Sequence, residues 1–195
     1  VSQALQAAAP NKVLCLSTIG AQATEVNLLT QRTLMEQALS ALDLPVTFLR
    51  PAWFMENAAY DLIAARETGV IHSFLQPLDK SVPMIATADI GTLAAQLLQQ
   101  AWAGHRVVEL EGQWVSPNDI AQGLSQVLGR DVHAEGVARD TWEALLRAQG
   151  AQNPLPRMRM VDGFNEGWIC FEHEQVLKGE TSLLTVLREL VDNTH

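Results

Sequence analysis

Cysteine is scarce in this 195-residue chain: Cys15 and Cys170 are the only two, far apart and outside any CxxC. Structural thiols are therefore expected in preference to a disulfide or a zinc site. Basic residues are also few, 13 against 22 acidic ones, for a net charge of -9. That balance disfavours direct binding to nucleic acid or an anionic membrane, both of which need a positive surface. No apolar run approaches a membrane span, and the opening VSQALQAAAP has neither the basic start nor the apolar centre of a secretory signal, so a cytoplasmic protein is expected. His72, His105, His133, His173 and His195 do not fall at helical or finger spacing from acids or cysteines, which leaves metal catalysis without support. Hydrolase chemistry has no support either, because no GxSxG elbow occurs and Ser17 has no evident histidine partner. Internal repeats and low-complexity segments are absent.

What is present is an ordinary globular balance, 48% apolar and 18% charged, in a length that suits one compact unit with a small appendage. The organising stretch is VTFLRPAWFMENAAYDL, Val46 to Leu62. Val46 to Leu49 reads as a strand covered on both faces. Arg50 and Pro51 are expected to end it, since proline donates no backbone hydrogen bond and biases its predecessor towards extended geometry. Trp53, Phe54 and Met55 follow as an apolar cluster, then Glu56 and Asn57 open a helix expected to run to Glu67 and stop at Gly69. In open α/β sheets ligands sit beyond the carboxyl ends of strands, so this loop is the first place to look for a site.

The run LRPAWFMEN, with STIGA at Ser17 to Ala21 and the later IATADIGTLAAQLL, resembles the NmrA-like proteins, an atypical branch of the short-chain dehydrogenase/reductase superfamily that binds NAD(P). The resemblance extends over nearly the whole chain. It implies an α/β fold: a partial Rossmann-like, doubly wound parallel sheet corresponding to the C-terminal half, with a small α+β substrate or cap region. It also implies NADP or NAD as cofactor. The twelve glycines nevertheless never form GxGxxG or GxxGxxG behind a strand, the arrangement that seats a pyrophosphate on a helix N-terminus. The chain also begins within a helix and without an initiator Met. If the resemblance holds, the expectation is a C-terminal fragment or a naturally shortened relative, lacking the phosphate loop of the first half.

Ser17 and Thr18 leave the strand Val13 to Leu16 where the superfamily keeps its catalytic Ser or Thr; the plainer alternative is a strand-ending turn. The helix expected from Glu25 to Leu42 carries Leu28, Met35, Leu39 and Leu42 on one face. Aligned on Glu36, the superfamily's YxxxK has its tyrosine position at Leu28 and its lysine position at Arg32, so the usual proton donor is absent. Arg32 then reads either as a contact to ribose or phosphate or as a solvated charge. The cofactor-binding set implied is Ser17, Thr18, Arg32, Pro51, Trp53 and Phe54; the substrate set is Trp53, Met55, Asn57, Phe164 and Trp168. Catalytic residues are not assigned.

Further along, Val70 to Leu75 reads as a strand, Gln76 to Pro83 as an exposed loop, and Thr87-Ala88-Asp89 as the opening of an amphipathic helix with Asp89 as cap or first-turn acid. Val107 to Leu110 is a strand, and Ser116-Pro117 opens a helix that Gly129 stops. A strand from Val132 to Val137, a helix from Thr141 to Gln149, a loop at Gln152 to Pro156 and a last helix from about Ser182 to Val191 complete the chain. Residues 1–112 are expected to form the dinucleotide-binding part, with 70–88 serving the substrate region, and residues 113–195 mainly the cap. The leading functional expectation is an NAD(P)H-dependent oxidoreductase of quinone-like acceptors. The alternatives are a non-catalytic NADP-redox sensor acting through a protein partner, and a shortened fold that binds no dinucleotide. The strand Val13 to Leu16 is expected to need a neighbour at its open edge: a second copy, another segment or a rearranged N-terminal helix.

Overall fold

A computed structural model of the chain describes residues 1–193, so His195 lies outside it. Four strands form a parallel sheet in the order β1 (Val13–Leu16), β2 (Val46–Pro51), β6 (His105–Glu111), β9 (Leu177–Lys178). All six residues of β2 are buried. Its Val46, Phe48 and Leu49 bury apolar side chains towards both faces, which helices cover. On one face Leu49, Ile85, Ile90, Leu97 and Leu110 pack beneath α4 (Thr87–Gln99). On the other, Cys15, Leu39, Leu42, Val46 and Phe48 meet α2 (Thr30–Ser40), with Leu5 of α1 (Ser2–Ala8) against them. β1 is the sheet's edge, and among the described residues no strand pairs with its outer side. Helix α1 thus supports a face of the sheet and leaves that edge open.

A second layer is built from short pieces. β3 (Trp53–Phe54), β5 (Val82–Ile85) and β7 (Trp114–Val115) make a three-stranded sheet, and β4 (Val70–Ser73) pairs in parallel with β8 (His133–Gly136). α3 (Leu62–Glu67), α5 (Pro117–Leu128), α6 (Trp142–Ala148), α7 (Leu155–Glu166) and α8 (Leu183–Asp192) enclose the largest core. That core takes Ile19, Met55 and Leu62 from the first part of the chain and Leu124, Trp142 and Leu187 from the second. α5 begins as its sequence implies: Ser116 Oγ accepts from Asp119 N–H, and Asp119 accepts in return from Ser116 N–H at 2.8 Å. It ends at Gly129 in the left-handed region.

Several boundaries differ from the sequence expectation for identifiable reasons. β2 continues through Pro51, which stands opposite Leu110. Proline is tolerated there because β1 has already ended, so its missing N–H falls at the frayed end of the ladder. Helix α2 starts at Thr30 rather than Glu25, because Asn27 folds back on itself: its Oδ1 accepts from Leu29 N–H at 2.7 Å, a local turn that competes with helix. Leu28 therefore lies outside α2. The segment after Phe54 is a 3-10 turn from Met55 to Asp61 before α3 begins. The exposed loop expected at Gln76 to Pro83 gives way at its end to buried β5, and the loop expected to reach Pro156 yields to α7, in whose first turn that proline sits. Asp89 is a first-turn acid, and its carboxylate also holds the tail through Thr181 N–H at 3.0 Å and Thr181 Oγ at 2.8 Å.

Asp61 closes the 3-10 turn half-buried. Burial pushes its carboxyl up from 3.8 to about 6, with nearby His72 acting the other way. Between those two values the folded chain keeps a proton that the unfolded chain has released, so this group's stabilising contribution is complete below 3.8 and is lost as pH rises through about 6. The expected loss is on the order of 2 kcal/mol. Thermal midpoints of the parent and Asp61→Asn should accordingly diverge from pH 4 to pH 7, the variant becoming the more stable. A constant difference across that range would show that Asp61 is not desolvated.

Candidate functional site

The carboxyl ends of β1 and β2 open into a cleft of about 270 Å³. The backbone fixes its floor: Ser17 N–H donates to Leu49 C=O at 2.7 Å, Ile19 N–H to Pro51 C=O at 2.9 Å, and Ala52 N–H to Leu110 C=O at 2.9 Å. These bonds continue the sheet past the regular strands, which carries Ser17, Thr18, Trp53 and Phe54 to the same opening. One wall is aromatic. Trp53 meets Phe164 edge to face, with ring centroids 5.0 Å apart. Phe164 and Met160 sit four residues apart on α7 and so reach the cleft from one helix face. Exposed Arg32 and Asn57 stand at the mouth.

Seven of the residues singled out in the sequence thus line one cleft: Ser17, Thr18, Arg32, Trp53, Phe54, Asn57 and Phe164. Three do not. Met55 is 1% exposed and belongs to the largest core, since the tight turn that begins there directs it inward. Pro51 serves through its carbonyl, as part of β2. Trp168 packs on Gly163 of α7, where an added Cβ would come within 2.6 Å of the ring, and its Nε1 donates to Glu166 at 2.8 Å. Leu16, Ile19, Leu29, Ala52 and Met160 also line the cleft, although the sequence reading did not assign them to the site; Met160 comes from the region read as the cap. Its signal was the spacing Met160 to Phe164, which places the two on one face of α7.

Beneath the cleft lies a charge network that sequence reasoning missed. Arg50 is 5% exposed and Glu36 8%. The two form a fork, Nε to Oε1 at 2.9 Å and Nη2 to Oε2 at 2.6 Å. Arg50 Nη1 also reaches Glu172 at 2.5 Å, and Ser17 Oγ donates to Glu36 Oε1. Burial works against the guanidinium charge, but hydrogen bonds to Glu36 and Glu172 outweigh it and hold the Arg50 pKa above its ordinary value. Neighbouring Cys15, in β1, has its thiol pushed up by burial and then by Glu36, with Arg32 opposing. It is therefore a poor nucleophile. Both cysteines are free thiols, Cys15 buried and Cys170 exposed. Glu109, in β6 opposite Arg50, is buried with both oxygens used: it accepts from the backbone N–H groups of Glu172 and His173, each at 2.9 Å. Gly20, at φ 73, completes the turn after Thr18; a side chain there would meet Ile169 at 2.8 Å. Among the described residues no group of His, Cys, Asp and Glu could hold a metal ion, and no helix is long and apolar enough to cross a membrane.

Comparison with known proteins places the fold and the family. Agroclavine dehydrogenase of Claviceps fusiformis is 30% identical over 109 residues, which are 53% of this chain and 37% of that enzyme. The chain thus spans well under half the length of this curated relative. An NADPH-dependent quinone oxidoreductase of Escherichia coli, solved in complex with NADPH, superposes with a TM-score of 0.80 at 24% identity, covering 98% of this chain and 69% of that one. A triphenylmethane reductase of Citrobacter sp., complexed with NADP(H), gives 0.75 at 20% identity, over 97% of this chain and 68% of that one. The fold is the mixed α/β, Rossmann-like architecture of these reductases. The model of the NmrA-like family matches residues 9–167, and to that family this chain belongs.

Proposed function

We propose that the chain contributes the nicotinamide and substrate side of an NAD(P)H-dependent oxidoreductase acting on flat, quinone-like acceptors. The observation that carries this reading is the aromatic cleft at the carboxyl ends of β1 and β2, where Trp53, Phe54 and Phe164 face the polar groups of Ser17, Thr18 and Asn57. A site that bears flat rings on apolar walls with a few convergent polar groups is the usual form of a small-molecule pocket. The dinucleotide, when bound, supplies hydride. The residues present fit only part of that cofactor. At about 270 Å³ the cleft falls below the roughly 300–1,000 Å³ of sites that enclose a drug-sized ligand. Arg32 is the one cation in its lining, and no run of glycines there presents backbone N–H groups to a pyrophosphate. The fit is to a ring and its ribose. In this reading residues 1–112 carry the cofactor side, with 70–88 near the substrate, and residues 113–195 roof it through α7.

The isolated chain is therefore expected to bind NADPH in the millimolar range or not at all in a calorimetric titration. Micromolar affinity would mean that phosphate contacts lie within these residues and that the site has been misplaced.

A second reading, a redox sensor working through a protein partner, draws on Leu28. The residue aligned with the superfamily's tyrosine lies outside α2 and outside the cleft lining, so nothing at that position can donate a proton. A quinone-like acceptor tolerates this better than a ketone, because the reduced ring spreads its charge. Steady-state turnover of NADPH with a naphthoquinone, in a protein that binds the cofactor, separates the two: turnover supports the oxidoreductase, and cofactor binding without turnover supports the sensor.

A further inference from the structure

The polar floor of the cleft has a fixed direction. Ser17 is 5% exposed, lines the cleft, and has a single hydroxyl proton, which it gives to Glu36 Oε1. Both oxygens of Glu36 are engaged as acceptors by the Arg50 fork, at 2.9 and 2.6 Å, and Arg50 is further held by Glu172. A carboxylate so held only accepts. The hydroxyl of Ser17 is thus left with lone pairs alone to offer to anything in the cleft. The side-chain donors stand elsewhere, on Arg32 and Asn57 at the exposed mouth, on the indole of Trp53 in the aromatic wall and on Thr18 beside the floor.

We propose that Ser17, oriented by Glu36, is an acceptor-only contact that selects ligands presenting an N–H or O–H group to the floor of the cleft, such as a primary carboxamide or the hydroxyl of a reduced ring, over ligands presenting only a carbonyl. Glu36 acts here as a positioning residue and Ser17 as the selecting one. The inference rests on the cleft being a ligand site, as proposed above, and deepens that reading by giving the site a polarity. A carbonyl pressed on Ser17 would set lone pair against lone pair in a place too buried for water to relieve.

The test uses the intact chain and two fragments of nearly one shape, nicotinamide and N,N-dimethylnicotinamide, the second having lost both amide hydrogens. Binding is followed by NMR through the backbone amides of Thr18 and Asn57, which line the cleft. Nicotinamide is expected to bind about tenfold more tightly than its dimethyl analogue. In Ser17→Ala that ratio should fall to near one while both fragments still perturb the same amides. Circular dichroism of Ser17→Ala, in which the Arg50–Glu36 fork is intact, checks that the chain remains folded. A ratio that persists in Ser17→Ala would make the preference steric and overturn the role of the hydroxyl. Equal binding to the parent, with the cleft amides shifted, would refute the polarity and spare the site. Shifts at neither Thr18 nor Asn57 would overturn the site itself and the inference with it.

Discussion

Arg50→Met is expected to lower the thermal midpoint by on the order of 10 °C. The substitution fills similar space but strips Glu36 of its fork, leaving a carboxylate 8% exposed with Ser17 as its remaining side-chain donor. Breaking a buried pair from one side costs about 3–5 kcal/mol, because the surviving charge must stay desolvated or force the structure open to water. For a chain of this length each kcal/mol moves the midpoint by roughly 2–4 °C. Glu172 adds little to the loss, since its side chain is 44% exposed and can return to solvent. The double variant Arg50→Met with Glu36→Leu should recover most of the stability, as apolar replacements of buried pairs commonly do. A midpoint within about 2 °C of the parent for the single variant would show that water reaches Glu36, and the idea of a sealed network under the cleft would fail.

Trp53→Ala should behave in the opposite way, losing ligand before fold. The indole is only half-buried, and its ring contact is the edge-to-face meeting with Phe164, worth about 0.5–1.5 kcal/mol beyond its area. A flat ligand stacked on it gains on the order of 1–3 kcal/mol, so affinity for a naphthoquinone probe is expected to fall about 10- to 100-fold. Calorimetry reads the affinity and a thermal melt reads the fold. Trp53→Phe should keep most of both. If the melt instead shifts as far as that of Arg50→Met with affinity unchanged, Trp53 belongs to the core and the cleft loses its wall.

These two residues also mark how far the sequence could be read. Trp53 was visible because a short apolar strand followed by Arg-Pro and an aromatic cluster has one sensible place in an α/β sheet, beyond a carboxyl end. The strands β1, β2 and β6, and helices α4 and α5, were legible from periodicity and capping in the same way. Arg50 was read as a residue that ends a strand. Nothing in its neighbourhood shows that it is buried, since its partners Glu36 and Glu172 lie 14 and 122 residues away and meet it only when the sheet is assembled. β3, β7 and β9 escaped because two-residue strands have no period, and β9 is held by pairing with Glu111 and Leu110 rather than by its own apolar content. Met55 and Trp168 were assigned to the pocket because an aromatic or methionine near a loop looks alike from the sequence whether it faces ligand or core. Local turn geometry decides between the two, and the spacing of residues carries little of it.

The return of the tail to the sheet has a consequence for how the chain comes into being. Arg50 leaves the ribosome long before Glu172, and at ordinary elongation rates roughly ten seconds separate them. The backbone amides that satisfy Glu109 come from that same late segment, as does the Thr181 that closes on Asp89. During this interval β2 and β6 can pair, but an arginine and a glutamate at their centre still lack part of their final company. Completion of the sheet in this sense waits on the late segment, and nascent chains stopped before residue 172 should be held in a looser, protease-sensitive form until the last strand arrives.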